Sequence, residues 1–409
     1  MATPRRHRGP SAVAATTQPG TALPPFPTPA PGAGAAPVAS GPRLVLGGRT
    51  IPVVLPNRRD PRLKLSAIII ALQVLGQTVL DFKVSIAQIL ITIGTCAIVD
   101  MAVTLKRQGI LAWPASALLT GNSIAFILRT NGTDHGDWWS LNGIEWFIGA
   151  ALVSLLVKYL VRPGGRHRFN PSNVGIVWAL LVIGPVHVFP QYLWWGPLDA
   201  PVIAALLVIV VGAVWILREV HMLAMAAAFL VPFCAVVAIF AAAGNSFVAI
   251  WSEAPISGFD YWLKICTSPE LLVFVFFMMS DPGTAAKSPR GRVIYGVLTA
   301  LAAAALVAVQ PTEYGIKVAI LASLTLVCAI VPLIESIARR TSGRTQTSDD
   351  ASAAASPPPR PALVRRPLRP AMIAVALIAL TAVVGTAALA DNEDLVYIEQ
   401  GLTGPRNAQ

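Results

Sequence analysis

Charge is scarce in this chain. Only 12% of its 409 residues are Asp, Glu, Lys or Arg, against 55% hydrophobic residues, whereas soluble domains carry about 25% charged residues. That scarcity excludes an ordinary water-soluble globule. Alternating polar and apolar strands are also missing, which argues against a membrane β-barrel. No GxSxG, P-loop, dinucleotide fingerprint or zinc signature occurs anywhere in the chain, so no self-contained nucleophile, nucleotide or metal centre is expected. Cys96, Cys234, Cys266 and Cys328 have no CxxC spacing. Three fall in apolar runs, where a free thiol behaves as a small hydrophobe, and neither a disulfide framework nor a metal site is expected from them.

What the chain does have is apolar runs near 20 residues long, with a mean hydropathy of +0.65. Such runs match the roughly 30 Å core of a bilayer. Eleven crossings are expected, at 65–80, 85–104, 110–128, 142–161, 171–189, 199–217, 221–243, 269–280, 293–309, 314–336 and 371–390. The third holds Pro114 and Gly121, and the eighth is short before "SDPG", so both are expected as broken or re-entrant segments. With the N-terminus in the cytoplasm, 26 of the 31 Lys and Arg fall in cytoplasmic segments; Lys83, Arg129, Lys264, Lys317 and Arg406 fall outside. This is the positive-inside pattern, and it predicts a multi-pass protein of the bacterial plasma membrane with its C-terminus outside. The net charge of +11 therefore encodes topology and lipid contact, and no nucleic-acid partner is implied.

The fold class expected is all-α and polytopic. A Pro/Ala-rich tail without a signal-peptide core (1–60) precedes a first five-helix repeat (61–190) and a second (198–337). A basic linker (338–370), an extra helix (371–390) and an acidic outer tail (391–409) complete the chain. Both the tail and the linker have compositions that favour disorder. The repeat rests on "NPSNVGIVWAL" (170–180) aligning with "QPTEYGIKVAI" (310–320), each at the start of a fifth helix. Because five is odd, the two groups must be inverted, with a site expected where interrupted helices meet.

Two polar stretches carry the site candidates. Asn170, Ser172 and Asn173 stand at the mouth of the fifth helix; Ser280, Asp281 and Thr284 stand at the "SDPGTAA" break. Each set has a plain reading as a helix cap or turn and a functional one as cofactor ligands. Asp100 is a functional candidate as an intramembrane carboxylate, or near its helix end simply pairs with Lys106 or Arg107 or reaches water; Glu145, His135 and His187 have only bland readings, and no metal ligand set emerges.

The stretches "FNPSNVGIV", "FMMSDPGTAAKSPRGRVIYG" and "YGIKVAILASLTLVCAIVPLIE" resemble the NqrB/RnfD family over about residues 60–337. These are membrane subunits of ion-translocating NADH:quinone and ferredoxin:NAD oxidoreductase complexes. The resemblance implies ten helices in two inverted halves, flavin-dependent electron transfer and redox partner subunits. One departure matters. The Ser-Gly-Ala-Thr motif that carries covalent FMN in the family is absent, and the corresponding loop is only "QYLWWGPLD" (191–199). Covalent FMN is therefore not expected; a noncovalent flavin (FMN or riboflavin) or a quinone-like ligand is. The shortened form also resembles the UnbU-type membrane proteins of enediyne biosynthesis in actinobacteria, which implies biosynthetic enzymes as alternative partners. A transporter or channel for a small solute or product is the competing reading, and a scaffold for soluble enzymes a third.

Overall fold

Among the described residues, four helices begin alike, with a polar cap followed by proline: Asp60-Pro61, Asn170-Pro171, Ser268-Pro269 and Ser288-Pro289. In each, the cap side chain accepts a backbone N–H of the first turn, at 3.0–3.2 Å. Proline fits there because its missing N–H has no intrahelical partner anyway. Each such cap stabilises its helix by about 1 kcal/mol.

The computed structural model describes residues 42–46, 48–55, 60–162, 166–191 and 200–343. The expected extra helix 371–390 and the acidic tail 391–409 lie outside them. The first half runs α1 (Pro61–Thr78), α2 (Ile86–Gln108), α3 (Ala115–Ile127), α4 (Ile144–Leu160) and α5 (Pro171–Trp178). A π-helical run, Ala179–Ile183, continues α5. The second half runs α6 (Ala200–Glu219), α7 (Leu223–Ala242), α8 (Gly258–Thr267), α9 (Pro269–Val273), α10 (Pro289–Val307) and α11 (Glu313–Gly343). Here a π run, Phe274–Met279, extends α9.

Among the described residues, six stretches are long and apolar enough to cross a membrane: Ile86–Gln108, Ala200–Glu219, Leu223–Ala242, Gly258–Met279, Pro289–Val307 and Glu313–Arg340. The protein is thus helical and multi-pass. The eighth expected segment is longer than its apolar stretch suggests, because α8 leads directly into α9 through Ser268. By contrast, the third and fifth are shorter than a span. Ala115–Ile127 and Pro171–Ile183 are shorter apolar helices, each about 20 Å long at 1.5 Å per residue.

Short strands finish what those helices begin. Strands β4 (Leu128–Thr130) and β5 (Val188–Pro190) pair antiparallel, Arg129 opposite Phe189, and all six residues are buried. Extended backbone at membrane depth is tolerated only where protein satisfies it, and this ladder does so. A hairpin of β1 (Arg43–Leu46) and β2 (Arg49–Val54) adds β3 (Leu111–Ala112) in parallel. This hairpin falls within the stretch 1–60 expected as tail, whose Pro/Ala content hid two short runs of Leu, Val and Ile. Strands β6 (Ser246–Phe247) and β7 (Ile256–Ser257) close the loop before α8.

The core lies where helices meet, and glycine sets the closest approaches. A Cβ on Gly175 would stand 2.0 Å from Ser154 Oγ and 2.4 Å from the Ala150 carbonyl. On Gly296 it would stand 2.6 Å from the Met225 carbonyl. Small residues at such crossings are what helix pairs in a membrane use to pack. The opposite faces of α6 and α7 leave Val211 and Val231 at 63% and 70% exposure, as a lipid-facing surface requires.

Candidate functional site

Two polar regions stand out against this apolar background. The first is a seam between the halves. Asn170 caps α5 through its Oδ1 while its Nδ2 donates to the Met278 carbonyl at 3.1 Å. Asn173 Nδ2 donates to the Leu321 carbonyl at 3.0 Å and to Thr325 Oγ1 at 2.9 Å. In the other direction, Tyr314 Oη of α11 donates to the Leu180 carbonyl at 2.5 Å. Both Met278 and Leu180 belong to π runs, whose altered hydrogen bonding re-aims carbonyls. Five residues beyond Leu180 stands Pro185, which has no N–H to offer. Each half therefore gives a carbonyl from its interrupted helix to a side chain at the start of the other half's last helix. Ser172 turns inward and donates to Asn170 Oδ1 at 2.9 Å.

Beside this seam lies an ionic cluster that the charge count placed on the outer side. Lys317 Nζ stands 2.5 Å from Glu313 Oε1 and 2.9 Å from Glu270 Oε1, with its side chain only 3% exposed. Trp251 Nε1 donates to Glu313 Oε2 at 2.9 Å. A cavity of about 30 Å³ adjoins the cluster, lined by Glu270, Lys317, Ile127 and Gln191 among others, with room for one or two waters. Arg129 is buried as well, its guanidinium 4.8 Å from the Phe189 ring centre. The sequence did carry a signal for the cluster: Glu313 and Lys317 are four apart inside an apolar helix, the spacing of an ion pair.

The second region is a cleft of about 310 Å³ at one end of the body. Three walls form it: the lead-in Arg166–Arg168 before α5, the loop Gly283–Lys287, and the turns of α11 from Val331 to Arg339. Arg166, Arg168, Lys287 and Arg339 bring four cationic side chains to it, alongside His167 and, among the described residues, one carboxylate, Glu335. Glu335 is already engaged: it accepts Ser288 Oγ and Ser288 N–H at 3.1 Å, and the Lys287 N–H. Asp281 fixes the loop from behind. It accepts Gly283 N–H at 2.8 Å and Thr284 Oγ1 at 3.2 Å, and lies 3.9 Å from His167 Nε2. Burial would raise the Asp281 carboxyl, but His167 and these donors outweigh it and hold the group below its usual range. Lys287 is lowered, first by burial and then by the Arg166 charge.

Of the six residues expected to bind a cofactor, Thr284 lines the cleft and Asp281 braces it through His167. Ser280 donates to the Phe276 carbonyl behind the loop. Asn170, Ser172 and Asn173 instead spend their polar atoms within the seam, with Asn173 Oδ1 left unpartnered. The cleft cations were read as topology signals alone, although "GRHRFNP" sets three basic residues directly before a helix start.

Residues 200–343 match the model of the NQR2, RnfD, RnfE family. That segment, 144 of the chain's 409 residues, is similar to the family. No curated protein matches it. The matched segment runs from the first residue of α6 to the end of α11, so two of the three walls of the cleft lie within it. Within the matched segment, five of the apolar stretches are long enough to cross a membrane.

Proposed function

We propose that this subunit supports electron transfer with a noncovalent flavin held in the cationic cleft. The observation that carries the reading is the donor set of that cleft. Four cationic side chains face one carboxylate already engaged by its own loop, so an anionic group is the ligand this surface suits. The apolar edge of Val331, Pro332 and Ala285 suits a flat aromatic ring. A Cβ at Gly283 would stand 2.8 Å from His167 Nε2, so glycine lets the loop close on the imidazole and leave room beyond it. Arg166, Arg168, Lys287 and Arg339 would hold the anionic end, and Thr284 would meet the polar edge. A bound flavin supplies one- and two-electron chemistry, while the positive surroundings stabilise negative charge added to the ligand.

The segments rich in Lys and Arg converge at this end, which supports placing the cleft in the cytoplasm within reach of soluble electron donors. The partners would be redox subunits or, given the UnbU likeness, enzymes of a secondary-metabolite pathway. A solute transporter fits less well. Alternating access needs the halves to part, yet the seam carries side-chain bonds in both directions and a cavity of only about 30 Å³.

The test is purification in mild detergent, reconstitution with FMN or riboflavin, and acid extraction of what stays bound. Flavin absorption with full release by acid is the expected result. A protein that remains colourless after reconstitution with either flavin defeats the proposal.

A further inference from the structure

We infer that the cationic side of the cleft is a phosphate-ester site, so that it selects phosphorylated ligands over neutral ones of the same ring. The inference rests on the flavin reading for the identity of its ligand, but its chemistry stands on the cleft alone. Arg166, Arg168, Lys287 and Arg339 converge on one concavity. Guanidinium forks match the oxygens of a phosphate two at a time, and lysine supplies a compact charge beside them. Arg168 adds a specific unmet donor, because its Nε–H is buried and meets no acceptor. Such a donor costs stability until an acceptor arrives.

The carboxylates cannot serve instead. Glu335 is held by the Ser288 hydroxyl and two amides, and Asp281 by Gly283, Thr284 and His167. A phosphate monoester brings about −1.5 to −2 charge and three strong acceptor oxygens, whereas riboflavin ends in a neutral hydroxyl.

Anionic phospholipid headgroups share this chemistry, and basic pockets between membrane helices do bind them. Flavin and lipid are separated by measuring FMN and riboflavin affinity through flavin fluorescence. The full-length protein is placed in nanodiscs of phosphatidylcholine alone or with phosphatidylglycerol. FMN should bind at least about tenfold more tightly than riboflavin, the worth of one or two charge-assisted bonds. In Lys287→Gln and Arg339→Gln, both lining the cleft, the difference should shrink towards unity. Arg340→Gln, an exposed neighbour outside the cleft, should keep it.

Equal affinity for the two flavins would overturn the phosphate inference and leave the flavin proposal standing. Failure of both flavins, with phosphatidylglycerol retained by the parent and lost by the two cleft variants, would overturn the flavin proposal and support a lipid phosphate. Failure to hold flavin or phosphatidylglycerol would defeat both.

Discussion

Lys287 shows how a single side chain reports on the cleft. It is lowered by burial and by Arg166 and Arg292, against the opposing pull of Asp281 and Glu335. A bound phosphate would add a negative neighbour and raise it again, so binding and protonation are linked. FMN affinity is full while Lys287 is charged and falls as pH rises through its lowered pKa, earlier than for an ordinary lysine near 10.4. Titrating FMN from about pH 7 to about pH 10 should show this loss, and Lys287→Met should flatten it. A parent profile as flat as the variant's would show that Lys287 does not face the ligand. Asp281 has the opposite sign. Held below its usual range, it contributes stability that is present above its unfolded pKa and lost as pH falls through the folded value.

At the scale of elements, α9 and α11 are joined by charge in a place where charge is costly. Lys317 is shared by Glu270 and Glu313, so removing the cation leaves one buried and one half-buried carboxylate without it. Breaking such a pair from one side costs about 3–5 kcal/mol. Lys317→Met should accordingly lower the thermal midpoint in detergent, while Lys317→Met combined with Glu270→Gln and Glu313→Gln should recover most of the loss. An unchanged midpoint in the single variant would show that the cluster contributes nothing to holding α9 against α11. The sequence exposed part of these elements. The polar-cap-plus-proline start at Asn170 was visible, because capping depends on residues a few positions apart, whereas the helix capped by Ser288 begins four residues before the expected 293. The strands β4 and β5 were hidden, since their pairing joins Leu128–Thr130 to Val188–Pro190 across some sixty residues and no local pattern announces it. The burial of Arg129 and Lys317 was hidden for a related reason: charge counting assigns sides of a membrane and cannot see a side chain folded inward.

At the scale of the whole molecule, the helical multi-pass class was legible from apolar run length alone, and the likeness of residues 200–343 to the family from the stretches around Ser280–Gly296 and Tyr314–Glu335. The cleft was not legible, because its walls come from residues 166–168, 283–287 and 331–339, and only the fold brings them together. The π run Phe274–Met279 has a rotational consequence for that assembly. Each residue in an α-helix advances the chain by about 100°, so a π run acts as a one-residue change of phase between α9 and the Ser280–Thr284 loop. A turn of the run holds about one residue more than a turn of α-helix, so deleting Val275 would let it close as ordinary α-helix with Ser280–Thr284 near its present angle. Adding one alanine within the α-helical turn Pro269–Val273 would instead swing Ser280–Thr284 by about 100°, taking Asp281 away from His167 and Met278 away from Asn170. The expected outcome is that the lengthened variant reaches the membrane and purifies but retains no flavin, while the deletion variant retains it, measured by the same acid extraction. Normal flavin occupancy in the lengthened variant would show that the cleft tolerates the change of phase. The irregular turn is in this sense a timing mark, setting the angle at which the second half presents its loop to the first.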